Sequence, residues 1–291
     1  VNFNHRNIVQ VFDFGKVDNE YYIAMEYIDG FDLSHLFAFY ATNADQINIK
    51  VILFILTEIL KGLNYAHNKS ENEYFQLVHR DISLNNVIVS KNGDVKLLDF
   101  GIAKTGHIIN GDDLKGKLSY MAPEQIRREA IDARVDIYGT GILGWRLLTG
   151  QKPFDIKIYN TVTSVLGVTI PDVREINSVI PEDLSKIIMK AISKNKEDRY
   201  SSAEQFYEAL YDYANENKLL LNSFQFSNIL KKYYQHLFKY SFIENIEENS
   251  KHEESFDEKT SPQKKQGQTI VTEITSKSRV DYLNGEKKIV N

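Results

Sequence analysis

The chain has 291 residues, 42% of them hydrophobic, enough for one large or two modest domains with a substantial core. A net charge of −5 lacks the basic excess of nucleic-acid binders, so no nucleic-acid partner is expected. There is no cysteine, hence no disulfide or thiolate metal site, and no apolar run reaches the roughly 20 residues of a bilayer span. A cytoplasmic location is expected, with no membrane segment. The sequence opens at Val1, inside an expected strand and without a secretory signal pattern, and it reads as part of something longer.

Residues 1–30 read as a hairpin. Ile8, Val9, Val11, Phe12 and Phe14 run to Gly15; Val17-Asp18-Asn19-Glu20 is the turn; Tyr21 to Tyr27 returns and closes at Asp29-Gly30. The period then becomes helical. Leu33, Leu36 and Phe37 begin a short helix. Ile47 to His67 is a long one, with Ile52, Ile55, Leu56, Ile59, Leu60 and Leu63 on a stripe wide enough for a buried helix. Val87-Ile88-Val89 and Val95 to Leu98 flank Asn92-Gly93, a short-hairpin signal. Asn86 just before this ribbon and Asp99 just after it therefore come to the same end. Residues 102–121 are polar and weakly periodic, as in a surface loop. Pro123 starts a short helix, and Val135 to Leu148 is a helix ended by Gly150. Helices are expected over Asp183 to Ser193, Ser202 to Asn215 and Ser223 to Ile243. Residues 247–268 are almost devoid of apolar side chains and are expected to be disordered. Residues 269–291 alternate weakly, and no internal repeat is present.

The chemistry concentrates in one string: His79-Arg80-Asp81, then Asn86, then Asp99-Phe100-Gly101. It matches a catalytic loop and metal-binding turn for phosphoryl transfer. Taken singly, Asp81 and Asp99 are ordinary turn residues; the order and spacing of the set argue otherwise. Phosphoryl transfer needs a carboxylate at the attacking hydroxyl and hard oxygen ligands for Mg²⁺. Asp81 is the candidate base, and Asn86 and Asp99 are the candidate metal ligands.

Over residues 1–215 the chain resembles the eukaryotic-type Ser/Thr protein kinase family. Further matches are Met121-Ala122-Pro123-Glu124, Asp136-Ile137-Tyr138-Gly139-Thr140-Gly141 and Asp198-Arg199-Tyr200. The resemblance implies an α+β fold, a mainly helical large lobe with the last strands of an incomplete small lobe. It implies 1–30 as remnant small lobe and hinge, 31–217 as large lobe, 218–246 as helical extension and 247–291 as tail. It implies ATP and Mg²⁺ as cofactors, protein serine and threonine hydroxyls as substrates, an ion pair between Glu124 and Arg199, and Asp136 holding the catalytic-loop backbone. Met25 matches the gatekeeper, and Glu26 to Ile28 the segment that bonds adenine. Ile88 matches the floor under the base, or is simply core. Asp32 is a ribose contact or a helix N-cap.

Two departures stand out. The Gly-rich loop and the strand lysine that grips ATP are absent, and no G-x-G-x-x-G occurs. As written, the sequence is expected to be weakly active or inactive alone, within a parent that carries those parts; a pseudokinase-like scaffold is the alternative. The second departure is Ser83, where the family usually has lysine, while Lys117 stands where it usually has threonine. An exchange of the two would keep one cation and one hydroxyl beside Asp81, so Ser83 and Lys117 join the catalytic set. The resemblance implies Arg80 as a receiver for a phosphorylated loop residue, with Thr105 and Ser119 the hydroxyls on offer, or as a partner of Asp112 and Asp113 instead. His5, His35, His67, His107, His236 and His252 have no metal-ligand spacing and read as surface or packing residues, and His79 reads as packing.

Overall fold

The computed structural model describes residues 4–17, 20–42, 47–69, 77–100, 118–154, 166–231 and 233, and the backbone of 279–283 and 286–290. Lys117, Thr105, Asp112, Asp113, most of the expected 102–121 loop and the polar segment 247–268 lie outside the described residues. The chain divides into two compact units, Val1–Gln10 with Tyr27–Leu230, and Val11–Glu26 with Lys231–Asn291.

In the smaller unit, β1 (Val11–Val17) and β2 (Glu20–Met25) form the expected antiparallel hairpin, with Phe14 opposite Ile23 and Val17 opposite Glu20. The weak alternation at the C-terminal end becomes a second hairpin, β6 (Arg279–Leu283) with β7 (Glu286–Val290).

In the larger unit, β3 (Gly30–Asp32), β4 (Val87–Ser90) and β5 (Val95–Leu97) form one antiparallel sheet. Gly93 turns between β4 and β5 at φ 82°, the left-handed conformation that Asn-Gly hairpins need. Ile8 and Val9 do not extend β1, as their hydrophobicity suggested. Val9 N–H donates to Leu97 O and Leu97 N–H to Asn7 O, each 2.9 Å, so residues 7–9 add a parallel edge to β5. The reason is burial: Ile8 and Val9 are 2% and 5% exposed, whereas β1 is mostly exposed. Asn7 completes the junction by donating to Glu58 Oε2 (2.8 Å) and Val95 O (2.9 Å).

The helices follow in order: α1 (Leu33–Thr42), α2 (Ile49–Asn68), α3 (Pro123–Ile126), α4 (Arg134–Thr149), α5 (Val173–Ile176), α6 (Glu182–Ala191) and α7 (Ala203–Glu216). Residues 223–231 are also helical, the first part of the helix expected to Ile243. Helix α2 is buried from Val51 to Leu60, and α4 from Val135 to Leu148. A helix apolar on nearly every face has to be central, because no face is left for water. Glycines permit the close approach. A β-carbon on Gly144 would lie 3.0 Å from both Leu56 Cδ1 of α2 and Ile188 Cδ1 of α6. Helix α4 ends as expected, with Gly150 in the left-handed region at φ 70° and its N–H on Arg146 O. Among the described residues no helix is long and apolar enough to cross a membrane.

Candidate active site

The loop from Leu77 to Ser83 has no regular structure of its own. Its backbone is held by a buried carboxylate: Asp136, in the first turn of α4, accepts from His79 N–H (2.8 Å) and Arg80 N–H (2.7 Å). The same carboxylate meets His67 Nε2 at 2.8 Å, so the last turn of α2 is part of the anchor. Asp136 is 1% exposed, and its oxygens are satisfied by these three partners. Arg80 has φ 67°, a left-handed conformation costing a non-glycine residue about 1–2 kcal/mol. Two charge-assisted bonds around that residue offset this cost.

From there a closed circuit of hydrogen bonds ties the candidate residues together. Asn86 Nδ2 donates to Asp81 O at 2.7 Å. Leu98 N–H donates to Asn86 O at 2.9 Å. Leu98 O lies 2.6 Å from His79 Nε2, and His79 Nδ1 accepts from Asp81 N–H at 3.3 Å. The circuit thus runs through Asp81, Asn86 and the residue before Asp99. Asp99 follows with φ 52°, a second left-handed non-glycine residue, and its side chain is exposed. Phe100 turns inward instead, 6% exposed, with its ring 4.7 Å from that of His79.

The arrangement suits a hard cation. With its amide nitrogen donating to Asp81 O, Asn86 keeps Oδ1, a neutral oxygen acceptor, for a cation, and Asp99 adds an exposed carboxylate. One neutral and one anionic oxygen fit Mg²⁺, which takes its other ligands from water and phosphate. Ser83 is buried at 9% exposure, and its carbonyl caps the turn Leu84–Asn86 by accepting Asn86 N–H at 3.1 Å.

Of the nucleotide candidates, Ile28, Asp32 and Ile88 belong to the larger unit and Glu26 to the smaller, so the boundary between the units falls within the expected hinge. Ile88 pairs with Asp32 across β3 and β4 and is half-buried, whereas Val87 and Val89 on the opposite face are buried. Asp32 caps α1, its Oδ1 accepting Ser34 N–H at 2.9 Å and His35 N–H at 3.3 Å.

Two side chains in this frame had no signal in the sequence. Gln125 of α3 donates to Arg80 O at 3.0 Å and accepts Ala122 N–H at 2.9 Å, linking α3 to the catalytic loop. His67, read as surface or packing, is the buried partner of Asp136. The implied Glu124–Arg199 pair is present and bidentate, at 2.7 and 2.9 Å. Arg199 also donates to the carbonyls of Ser193, Lys194 and Arg134 and stacks 4.8 Å from the Tyr138 ring.

Comparison with known proteins bears on this frame. Residues 1–211 match the protein kinase domain family. Tyrosine-protein kinase MasK of Myxococcus xanthus is 36% identical over 73% of this chain and 34% of its own length. Serine/threonine-protein kinase PrkC of Bacillus subtilis is 34% identical over 69% of the chain and 30% of its length. Serine/threonine-protein kinase PknB of Mycolicibacterium smegmatis is 33% identical over 69% and 32%. The chain therefore spans about a third of the length of these curated relatives. Among solved structures, a double mutant of the PknI kinase domain from Mycobacterium tuberculosis superposes with a TM-score of 0.58 at 26% identity, covering 73% of this chain and 74% of that one.

Proposed function

Since this chain belongs to the protein kinase family, we propose that it carries the catalytic loop of an ATP-dependent kinase that phosphorylates serine and threonine hydroxyls of proteins. The observation that carries the reading is the hydrogen-bond circuit through Asp81, Asn86 and Leu98. It ties the backbone of Asp81 to Asn86 and to the residue before Asp99, which supports reading these three as one base and two oxygen ligands.

Bound Mg-ATP would supply the phosphoryl group and the metal charge that neutralises it. Asp81 orients the substrate hydroxyl and takes its proton. Asn86 Oδ1 and the Asp99 carboxylate hold the metal. Ser83 and Lys117 supply the hydroxyl and the cation beside the transferred phosphate, in positions exchanged relative to most of the family. The backbone from Glu26 to Ile28 binds the adenine edge, Ile88 underlies the ring, and Asp32 offers its second oxygen to the ribose while the first caps α1. Residues 1–30 correspond to the end of the small lobe and the hinge, 31–217 to the large lobe, 218–246 to a helical extension and 247–291 to a tail. The setting of the reaction is the cytoplasm, which supplies ATP, Mg²⁺ and protein substrates.

The test is phosphorylation of a mixed protein substrate by the intact protein, followed by phosphoamino-acid analysis. Phosphoserine and phosphothreonine are expected, and Asp81→Asn should lower turnover by roughly 10²–10⁴-fold, the scale of a lost general base, with Mg-ATP affinity unchanged. Phosphotyrosine alone, the activity in the name of MasK, would overturn the acceptor assignment. Unchanged turnover in Asp81→Asn would overturn the mechanism.

A further inference from the structure

Two arginines are buried in the larger unit, and they are treated differently. Arg199 has a bidentate carboxylate and three carbonyls. Arg146, on α4, is 8% exposed and has no carboxylate within ion-pair distance among the described residues. Its Nε is buried and has no acceptor among the described residues. Its guanidinium lies between two aromatic faces, 5.3 Å from the Phe37 ring of α1 and 5.0 Å from the Tyr120 ring. Nη1 donates to the Tyr120 hydroxyl. That phenol is not the missing anion, because burial raises its pKa despite the opposing pull of Arg146, which leaves it neutral at pH 7.

A desolvated cation without an anion is costly, and buried charges are normally paired. The cation–π contacts compensate part of this, but they leave the planar donor edge without the carboxylate that it fits best. The Tyr120 hydroxyl also bonds to the backbone at Leu84, three residues beyond Asp81. Tyr120 directly precedes Met121-Ala122-Pro123, the segment joined to Arg80 through Gln125. The cation therefore stands between α1 and the segment before α3, joined through Tyr120 to the backbone at Leu84.

We propose that Arg146 is a specificity residue that receives an acidic side chain of the protein substrate, whose carboxylate completes the guanidinium. This rests on the kinase reading above and adds a substrate class to it: polypeptides with Asp or Glu near the phosphorylated residue.

The test is binding of fluorescent serine peptides to the intact protein, with Glu moved through each position on either side of the serine in an otherwise alanine background. At one position Glu should tighten binding by roughly 10- to 100-fold, the scale of a charge-assisted hydrogen bond. Arg146→Gln should abolish that preference, and Arg146→Glu should shift it to lysine, a reversal that a purely structural arginine would not produce. Thermal melting reports whether each variant folds. Should Arg146→Gln not fold, Arg146→Lys, which keeps the charge but loses the fork, should still show a weakened preference. Absence of any acidic preference in the unmodified protein, or its persistence in a folded Arg146→Gln, would overturn the proposal. Because binding is read without turnover, peptides that bind acid-dependently yet are not phosphorylated would count against the kinase reading alone.

Discussion

Asp136 shows how one buried side chain sets the geometry of a loop that has no secondary structure. It joins residues far apart in sequence: His67 at the end of α2, and the amides of His79 and Arg80. Removing it leaves the buried His79 N–H and the half-buried Arg80 N–H without acceptors and releases Arg80 from its left-handed conformation. Each unsatisfied group costs about 1–3 kcal/mol. Asp136→Ala should therefore lower unfolding stability in urea by about 2–5 kcal/mol and abolish phosphoryl transfer, although Asp136 touches no reacting atom. A change below about 0.5 kcal/mol would show that the loop is held by other means. Asp136 itself was legible, because its motif repeats a known pattern. His67 and Gln125 were not. Each is a single polar residue whose partner is distant along the chain, and neither periodicity nor spacing marks such a residue. Arg146 was silent for the same reason, since only the structure shows that it is buried with no carboxylate partner among the described residues.

At the scale of elements, the period-2 and period-3.6 patterns placed the long helices and the β4–β5 ribbon, which are defined by local burial, but not the short β3 (Gly30–Asp32) or α5 (Val173–Ile176), which carry too few residues to show a period. The error at Ile8 and Val9 has a physical cause. Their side chains are apolar in either setting, and sequence cannot say whether a strand pairs with its chain neighbour or with β5. Helix α4 carries the clearest element-level prediction. A β-carbon at Gly141 would lie 2.6 Å from Ile192 Cγ2 and 2.9 Å from Ala191 Cβ, at the end of α6. Alanine is the better helix former by about 1 kcal/mol, but overpacking of a filled interface costs about 1–3 kcal/mol. Gly141→Ala should thus be destabilising on balance. At Gly150 nothing lies within 4 Å and the cost is conformational, so Gly150→Ala should lose about 1 kcal/mol through its φ of 70° alone. Ile192→Leu, which takes the Cγ2 methyl off the β-carbon, separates the two causes: in chemical denaturation it should recover part of the loss in Gly141→Ala and none in Gly150→Ala.

For the molecule as a whole, the same central packing predicts how stability responds to alkali. Tyr138 lies on α4 beneath the Glu124–Arg199 pair, and burial pushes its hydroxyl up to about 12, against the opposing effect of Arg199. In the unfolded chain a tyrosine titrates near 10. The folded state therefore keeps a proton that the unfolded state releases. The stabilisation linked to Tyr138 is complete below pH of about 10 and is lost as the pH rises toward about 12. A shift of this size corresponds to a loss on the order of 2–3 kcal/mol across that window. Tyr200, stacked on Phe206 at 4.9 Å, is likewise pushed up to about 12 by burial and steepens the same limb. Lysines also titrate in this range, so the measurement has to be differential. Urea unfolding of the unmodified protein and of Tyr138→Phe should give stability curves that run parallel below pH of about 9 and converge or cross by about 12, because phenylalanine has no proton to release. Parallel curves throughout would mean that Tyr138 ionises as readily in the folded chain as in water. The central helix that anchors the catalytic loop through Asp136 would then admit water at its second turn.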